Sequence, residues 1–182
     1  MKTTLIIFSG LPGTGKSTLA RLAVQKLQIP LFRIDDITSF IPSHMSRHAQ
    51  PYWDDMVGIL LNLVESQLEL GLSVIVDSVF MGEDRYQAAE IARRHGAIFR
   101  PIYTYVSDER VWEERVRQRV ATAPPEIKAE VATWERIQTQ RQSFYPWQPG
   151  SALFVDGVNS VETNLNQVLQ FVTAAKVALE PL

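Results

Sequence analysis

The chain is predicted to fold as a three-layer α/β/α structure around a five-stranded parallel sheet. Short apolar, β-branched runs alternate with amphipathic stretches, acidic residues close three of those runs, and Gly or Pro marks the junctions. Parallel neighbours need crossover connections, and the intervening helices supply them.

The first strand is residues 5–8, an apolar run closed by Gly10 and Pro12, as expected of a strand buried on both faces. A helix follows over 17–27, where Leu19, Ala20, Leu22, Ala23 and Leu27 recur at helical spacing before Pro30. Residues 31–34 form the second strand, ending at Asp35-Asp36. Trp53, Met56, Val57, Leu60, Leu61, Val64 and Leu68 mark one face of a long helix that Gly71 closes. Residues 73–76 are the third strand, ending at Asp77; 84–95 is helical with Gly96 as its C-cap, and 98–105 is the fourth strand. Helical spacing returns over 109–120, breaks at Pro124-Pro125 and resumes from Glu126 to about Gln142. Residues 152–155 are the fifth strand, ending at Asp156-Gly157, which reads as a turn. Val161, Leu165, Val168, Leu169 and Val172 mark a last helix, with Asn159 and Glu162 as its cap.

A length of 182 residues predicts one domain, 1–182. The composition, 46% hydrophobic and 21% charged, excludes a disordered or collagen-like chain. Lys and Arg number 18 against 20 Asp and Glu, so the basic excess of an avid nucleic-acid binder is missing. Without cysteine there are no disulfides, thiolate metal sites or cysteine nucleophiles. The apolar run before Ser9 is too short for a signal peptide, and no stretch approaches the roughly 20 apolar residues of a membrane span. A soluble, cytoplasmic chain is expected.

Gly10-Leu11-Pro12-Gly13-Thr14-Gly15-Lys16-Ser17 matches the phosphate-loop (Walker A) pattern, placed between a predicted strand and a predicted helix. Glycines let backbone N–H groups turn around an anion, the helix presents its positive end, Lys16 reaches the terminal phosphates, and the Ser17 hydroxyl can ligate magnesium. Gly10, Pro12, Gly13, Thr14, Gly15, Lys16, Ser17 and Thr18 are therefore the candidate nucleotide-binding residues, with ATP and Mg²⁺ as expected ligands.

Other positions bear on the reaction. Asp35 and Asp36 follow the second strand, at the carboxyl ends where open α/β sheets bind ligands, and either carboxylate could accept the proton of an acceptor hydroxyl or cap the next helix. Asp77 ends a hydrophobic strand, as in a Walker B element that holds Mg²⁺. Arg115 and Arg119 stand four apart on a predicted helix and share a face; over the phosphates they would neutralise charge developing during transfer. On a solvated face they would instead pair with Glu113 and Glu114. No Asn-Lys-x-Asp motif supports GTP specificity.

With these motifs in order, the chain resembles the small phosphate-loop kinases of the adenylate-kinase-like group, particularly zeta toxins, the kinase domain of polynucleotide kinase, and chloramphenicol phosphotransferase. The resemblance runs from Leu5 to Val172. It implies that Lys16 and Ser17 handle phosphates and magnesium, Asp35 is the base, and Arg115 and Arg119 belong to a mobile lid over 107–142. It also implies that Asp156 to Asn159 lie near the adenine. The polynucleotide kinase pattern of Asp-Asp, one residue, then Arg is broken by Thr38, and Ser78 stands where that pattern has an acid. Phe32-Arg33-Ile34-Asp35 and Val76-Asp77-Ser78-Val79-Phe80-Met81-Gly82 are closer to chloramphenicol phosphotransferase, which implies a small-molecule hydroxyl acceptor.

The remaining candidates have plainer readings. His44 and His48 read as surface or acceptor-pocket residues rather than metal ligands, Trp53 as core, and Arg93-Arg94-His95 as a response to the helix dipole. Trp134 and Trp147 suit the lid and its return. The expected activity is ATP- and Mg²⁺-dependent phosphoryl transfer to a small-molecule hydroxyl. A polynucleotide 5′-hydroxyl or nucleotide-sugar acceptor, and a regulatory ATPase working on a protein partner, are the alternatives.

Overall fold

Every residue of β1 (Thr4–Ser9) is buried, and the alternation of its side chains builds two cores. Leu5 and Ile7 join one cluster, Ile6 and Phe8 the other. The structure, a computed structural model, describes residues 2–40, 52–125, 127–128, 131–175 and 179. The further elements are α1 (Lys16–Leu27), β2 (Leu31–Arg33), α2 (Ile34–Thr38), α3 (Tyr52–Glu69), β3 (Val74–Asp77) and α4 (Glu83–Arg94). They continue with β4 (Ile98–Tyr105), α5 (Glu109–Thr122), α6 (Trp134–Ser143), β5 (Leu153–Asp156) and α7 (Val161–Thr173).

All strand pairs are parallel, in the order β2-β3-β1-β4-β5. Helices α3 and α4 cover the face carrying Leu5 and Ile7, and α1 and α7 cover the face carrying Ile6 and Phe8. The fold is thus the predicted five-stranded α/β/α sandwich. The loop leaving β1 leads to α1 on one face, while the loop leaving neighbouring β3 leads to α4 on the other. A crevice opens between them at the carboxyl ends of the strands.

A third apolar cluster forms above this crevice. Leu11, Val79, Trp112, Val116, Ile137 and Phe144 bring α5 and α6 together with the loops after β1 and β3. Buried Arg85 anchors its outer end: its guanidinium donates to the carbonyls of Phe80 and Tyr145 and lies over the Trp147 ring, 4.9 Å from the centroid. Burial pushes its pKa down from the usual arginine value. The Trp147 indole N–H donates to Ser9 Oγ at 2.6 Å, fastening the segment after α6 to the end of β1.

Several predicted boundaries shift. Ile34 starts a helix instead of ending a strand, because its side chain is buried against α3 and two acids follow in the first turn, where the helix dipole favours them. The cap of α4 is His95; Gly96, at φ +60°, is one residue beyond, and the Gly96 and Ala97 amides bond back to Arg93 and Ala92 in a Schellman closure. Helix α6 begins at Trp134, not Glu126, because Thr133 caps it through a hydroxyl that accepts the Arg136 amide at 3.4 Å. Ile127, Lys128 and Val131 are outside any α-helix, and 126, 129 and 130 lie outside the described residues. Ser160, not Asn159, caps α7, accepting the Thr163 amide at 3.1 Å. Arg94 and His95 both reach Glu65 on α3, at 2.8 and 2.9 Å, so side-chain partners as well as the dipole hold that helix end. His44 and His48 lie outside the described residues.

Since Ile6 is fully buried under α1 and α7, Ile6→Ala is expected to destabilise the fold by about 3–4 kcal/mol in urea unfolding. Ile59→Ala, on the exposed side of α3, should change it by no more than about 0.5 kcal/mol.

Candidate phosphate and acceptor site

The loop after β1 is wound so tightly that its glycines are required. Gly10 sits at φ +138°, and a Cβ there would lie 2.3 Å from the Thr104 carbonyl oxygen. Gly13, at φ +83°, would drive a Cβ to 2.7 Å from Val116 on α5. Buried Thr14 holds the loop from inside: its hydroxyl donates to the Leu11 carbonyl and meets the Thr104 hydroxyl, both at 2.8 Å. From above, the Trp112 indole N–H donates to the Pro12 carbonyl at 2.9 Å.

This winding leaves donors without acceptors. The amides of Gly13, Thr14, Gly15 and Lys16 donate to no other group among the described residues. Helix α1 has Gly15 as its N-cap, with no side-chain cap and no acid in its first turn, and carries Lys16 there instead. A helix end lacking both cap and acid is built for an external anion.

Register places the acids beside this loop. Phe8 pairs with Asp77, and Asp77 pairs with Arg33, so the ends of β1, β3 and β2 form one row. Asp77 is 2% exposed, and its Oδ1 has no hydrogen-bond partner among the described residues. A buried, unpartnered carboxylate oxygen next to a phosphate loop fits a hard divalent cation, with the half-buried Ser17 hydroxyl on the first turn of α1 as a second oxygen donor. The other Asp77 oxygen faces Arg33 Nε at 3.4 Å.

Asp35 and Asp36, adjacent in sequence, part company in space. Asp35 lines a cavity of about 540 Å³ together with Lys16, Asp77 and Arg119. Asp36 lines a separate apolar groove beside Phe32, Ile37 and Met56. Neither acid caps α2, whose N-cap is Arg33; both instead pair with its guanidinium, Asp35 at 3.0 Å and Asp36 at 2.9 Å.

The cavity has two kinds of wall. Ile34, Trp53, Val79 and Met81 form an apolar side, and Trp53, as expected, also packs against the core. Arg136, Thr139, Gln140 and Ser143 recur at helical spacing and present one polar face of α6 opposite. This face is not apparent as a site in the sequence; only the spacing of its polar residues hints at it.

The two arginines predicted to share a face act at different places. Arg119 reaches the cavity, whereas Arg115 donates to the Gly157 carbonyl at 2.9 Å, beside the Thr14 carbonyl. Arg117 pairs with Glu113 at 2.6 Å on the outer face. Trp134 packs edge-on against Trp112, with ring centroids 5.2 Å apart. The β5–α7 loop therefore abuts the phosphate loop, and Asn159 lies exposed in its turn, its amide bonded to the Asp156 carbonyl. Partial burial of Asp156 is outweighed by hydrogen bonds from Ser107 and the Val158 amide, which hold its carboxyl below the usual carboxylate range.

Residues 5–146 match the family model of an AAA domain. No curated protein matches the chain. Among solved structures, the fold is similar to Chaetomium thermophilum Kti12 in complex with ADP-AlF3, with a TM-score of 0.70, 17% identity, and 93% of this chain and 100% of that one covered. It is also similar to the Mycobacterium tuberculosis APS kinase CysC in complex with AMPPNP and APS (0.68, 16%, 95% and 99%). A gluconokinase from Sinorhizobium meliloti 1021 gives 0.65, 18%, 94% and 91%. At these identities the likeness is one of fold, that of the P-loop kinases and their nucleotide-binding relatives. No described helix is long and apolar enough to cross a membrane.

Two outcomes follow from the loop and its neighbour. Gly10→Ala should abolish nucleotide binding in a fluorescent-ADP titration, because the new methyl meets backbone oxygen rather than a movable side chain. Asp156→Asn should lower the melting temperature at pH 7. A depressed folded-state pKa gives stability that is present above about pH 4 and lost as pH falls through it, so the gap to wild type should close in acid.

Proposed function

Because the chain belongs to the AAA-domain family matched over residues 5–146, we propose that it is an ATP-dependent kinase transferring the γ-phosphoryl group to a hydroxyl of a small molecule. The observation that carries this reading is that one cavity joins Lys16 of the anion-binding loop to both Asp35 and a buried Asp77.

In this reading the loop amides and Lys16 hold the β- and γ-phosphates, and Asp77 and Ser17 would hold Mg²⁺. When bound, the ion offsets charge on the phosphate oxygens. Asp35 is the base: its Oδ2 is engaged by Arg33, so the acceptor proton goes to Oδ1. The acceptor oxygen bonds to the γ-phosphorus as the bond to the β–γ bridging oxygen breaks, and that electron pair leaves on ADP. Arg119 neutralises the charge from above. Arg115, tied to Gly157, steadies the β5–α7 loop near the adenine side, where Asn159 stands. Residues 107–142 form the lid of a single domain, 1–182.

The acceptor is compact. A cavity of about 540 Å³ falls within the range of small-molecule sites. Its apolar wall at Trp53, Val79 and Met81 suits a ring or hydrocarbon face, while Thr139, Gln140 and Ser143 suit a polar edge. Near-neutral net charge, -2, weighs against a long polyanionic acceptor. The likeness to Kti12 favours a second reading, a nucleotide-driven regulatory ATPase.

Phosphate transfer from γ-labelled ATP to a panel of sugars, nucleosides, nucleotide sugars, antibiotics and oligonucleotides tests both. A labelled acceptor supports the kinase, and hydrolysis that no acceptor but a protein partner stimulates supports the ATPase. On an accepted compound Asp35→Asn should lower kcat by about 10²-fold or more with ATP affinity kept within about twofold; equal turnover would remove Asp35 as base.

A further inference from the structure

Arg33 makes an unusual set of contacts. From the last position of β2 its guanidinium reaches three carboxylates on separate bonds: Nη2 to Asp35 Oδ2 at 3.0 Å, Nη1 to Asp36 Oδ1 at 2.9 Å, and Nε to Asp77 Oδ2 at 3.4 Å. The planar fork of donors makes this possible, and an ammonium could not reproduce it. Folding stability does not explain the two outer contacts. Asp35 and Asp36 are 59% and 64% exposed, where solvent-screened pairs contribute little.

The charge balance points elsewhere. Three carboxylates against one guanidinium leave the cluster negative, and the one buried, unpartnered oxygen in it, Asp77 Oδ1, attracts a divalent ion. A fixed cation among them opposes such an ion. Arg33 also occupies one oxygen of Asp77 and none of the other, so Oδ1 alone stays open.

We propose that Arg33 is the resident counter-ion of this site, a positioning residue that orients Asp35 and Asp77 and prevents Asp77 from taking a divalent cation before nucleotide is bound. The cation then enters with nucleotide, whose phosphates supply the negative charge that outweighs Arg33. The inference rests on the proposed assignment of Asp77 to the metal.

Mn²⁺ binding, read by electron paramagnetic resonance with and without ADP, tests this without any acceptor. Wild type should bind Mn²⁺ only with ADP. Arg33→Met should bind it without nucleotide and at least about tenfold more tightly than wild type with ADP, while slowing phosphate release from ATP. Arg33→Lys, which keeps the charge but loses the fork, should keep the wild-type Mn²⁺ dependence and still be slow. Thermal melts in chelator establish that each variant is folded, and only folded variants are scored; Arg33→Gln replaces Arg33→Met if that variant does not fold. Mn²⁺ affinity that is unchanged or weaker on removal of the Arg33 charge overturns the proposal, since a merely structural role could not tighten it. Asp77→Asn separates the two levels: Mn²⁺ binding that survives it overturns the metal assignment and this proposal together, whereas loss there with no gain in the charge-removed Arg33 variant overturns only the role of Arg33.

Discussion

Phe8, Asp77 and Arg33 occupy one row across three parallel strands, and the candidate site is arranged around that register. Because β1 is buried on both faces, its pairing with β3 cannot slip by a residue without turning Leu5 and Ile7 out of one core and Ile6 and Phe8 out of the other. The hydrophobic pattern of β1 thus fixes where Asp77 stands relative to the loop that starts at Gly10. Through the β3–β2 pairing it fixes Arg33, and through Arg33 the carboxylates on the first turn of α2.

The roof of the crevice is held by a different logic. Helix α5 rests directly on the phosphate loop, with Trp112 bonded to Pro12 and Val116 filling the space a side chain at position 13 would need. Helix α6 joins it through Ile137, and the segment beyond is fastened to β1 by Trp147 and to the loop after β3 by Arg85. Phe80, held at φ +48° with its carbonyl on Arg85, is where that loop turns away from Asp77. The anion-binding loop, the acid and the roof therefore share contacts, and a change in any one is felt by the others.

Local patterns were legible in the sequence, and long-range placements were not. The five strands, the face of α3 and the phosphate loop follow from spacing and turn chemistry, because those signals lie within a few residues of each other. The start of α6 was obscured by Pro124-Pro125 and a polar stretch without clear periodicity, while Thr133 carried a capping signal easily taken for an interior residue. Ser160 and Asn159 are both good caps, and only geometry separates them. Arg33 was missed because its partner Asp77 is 44 residues away and the register that joins them belongs to the sheet. The different destinations of Asp35 and Asp36, and of Arg115 and Arg119, depend on the direction each helix takes. Helical spacing alone does not contain that direction.

The placement of the tryptophans has an optical consequence. The chain has four, and three of them surround the crevice: Trp53 in the cavity wall, Trp112 bonded to the phosphate loop, and Trp134 edge-on against Trp112. An indole whose N–H is tied to the loop reports any change in that loop's backbone through its emission, and one in the cavity wall reports whatever lies against it. With no cysteine in the chain, a single engineered thiol on α6 would be the sole attachment point for an acceptor dye. The fold thus carries its own spectroscopic probe of occupancy.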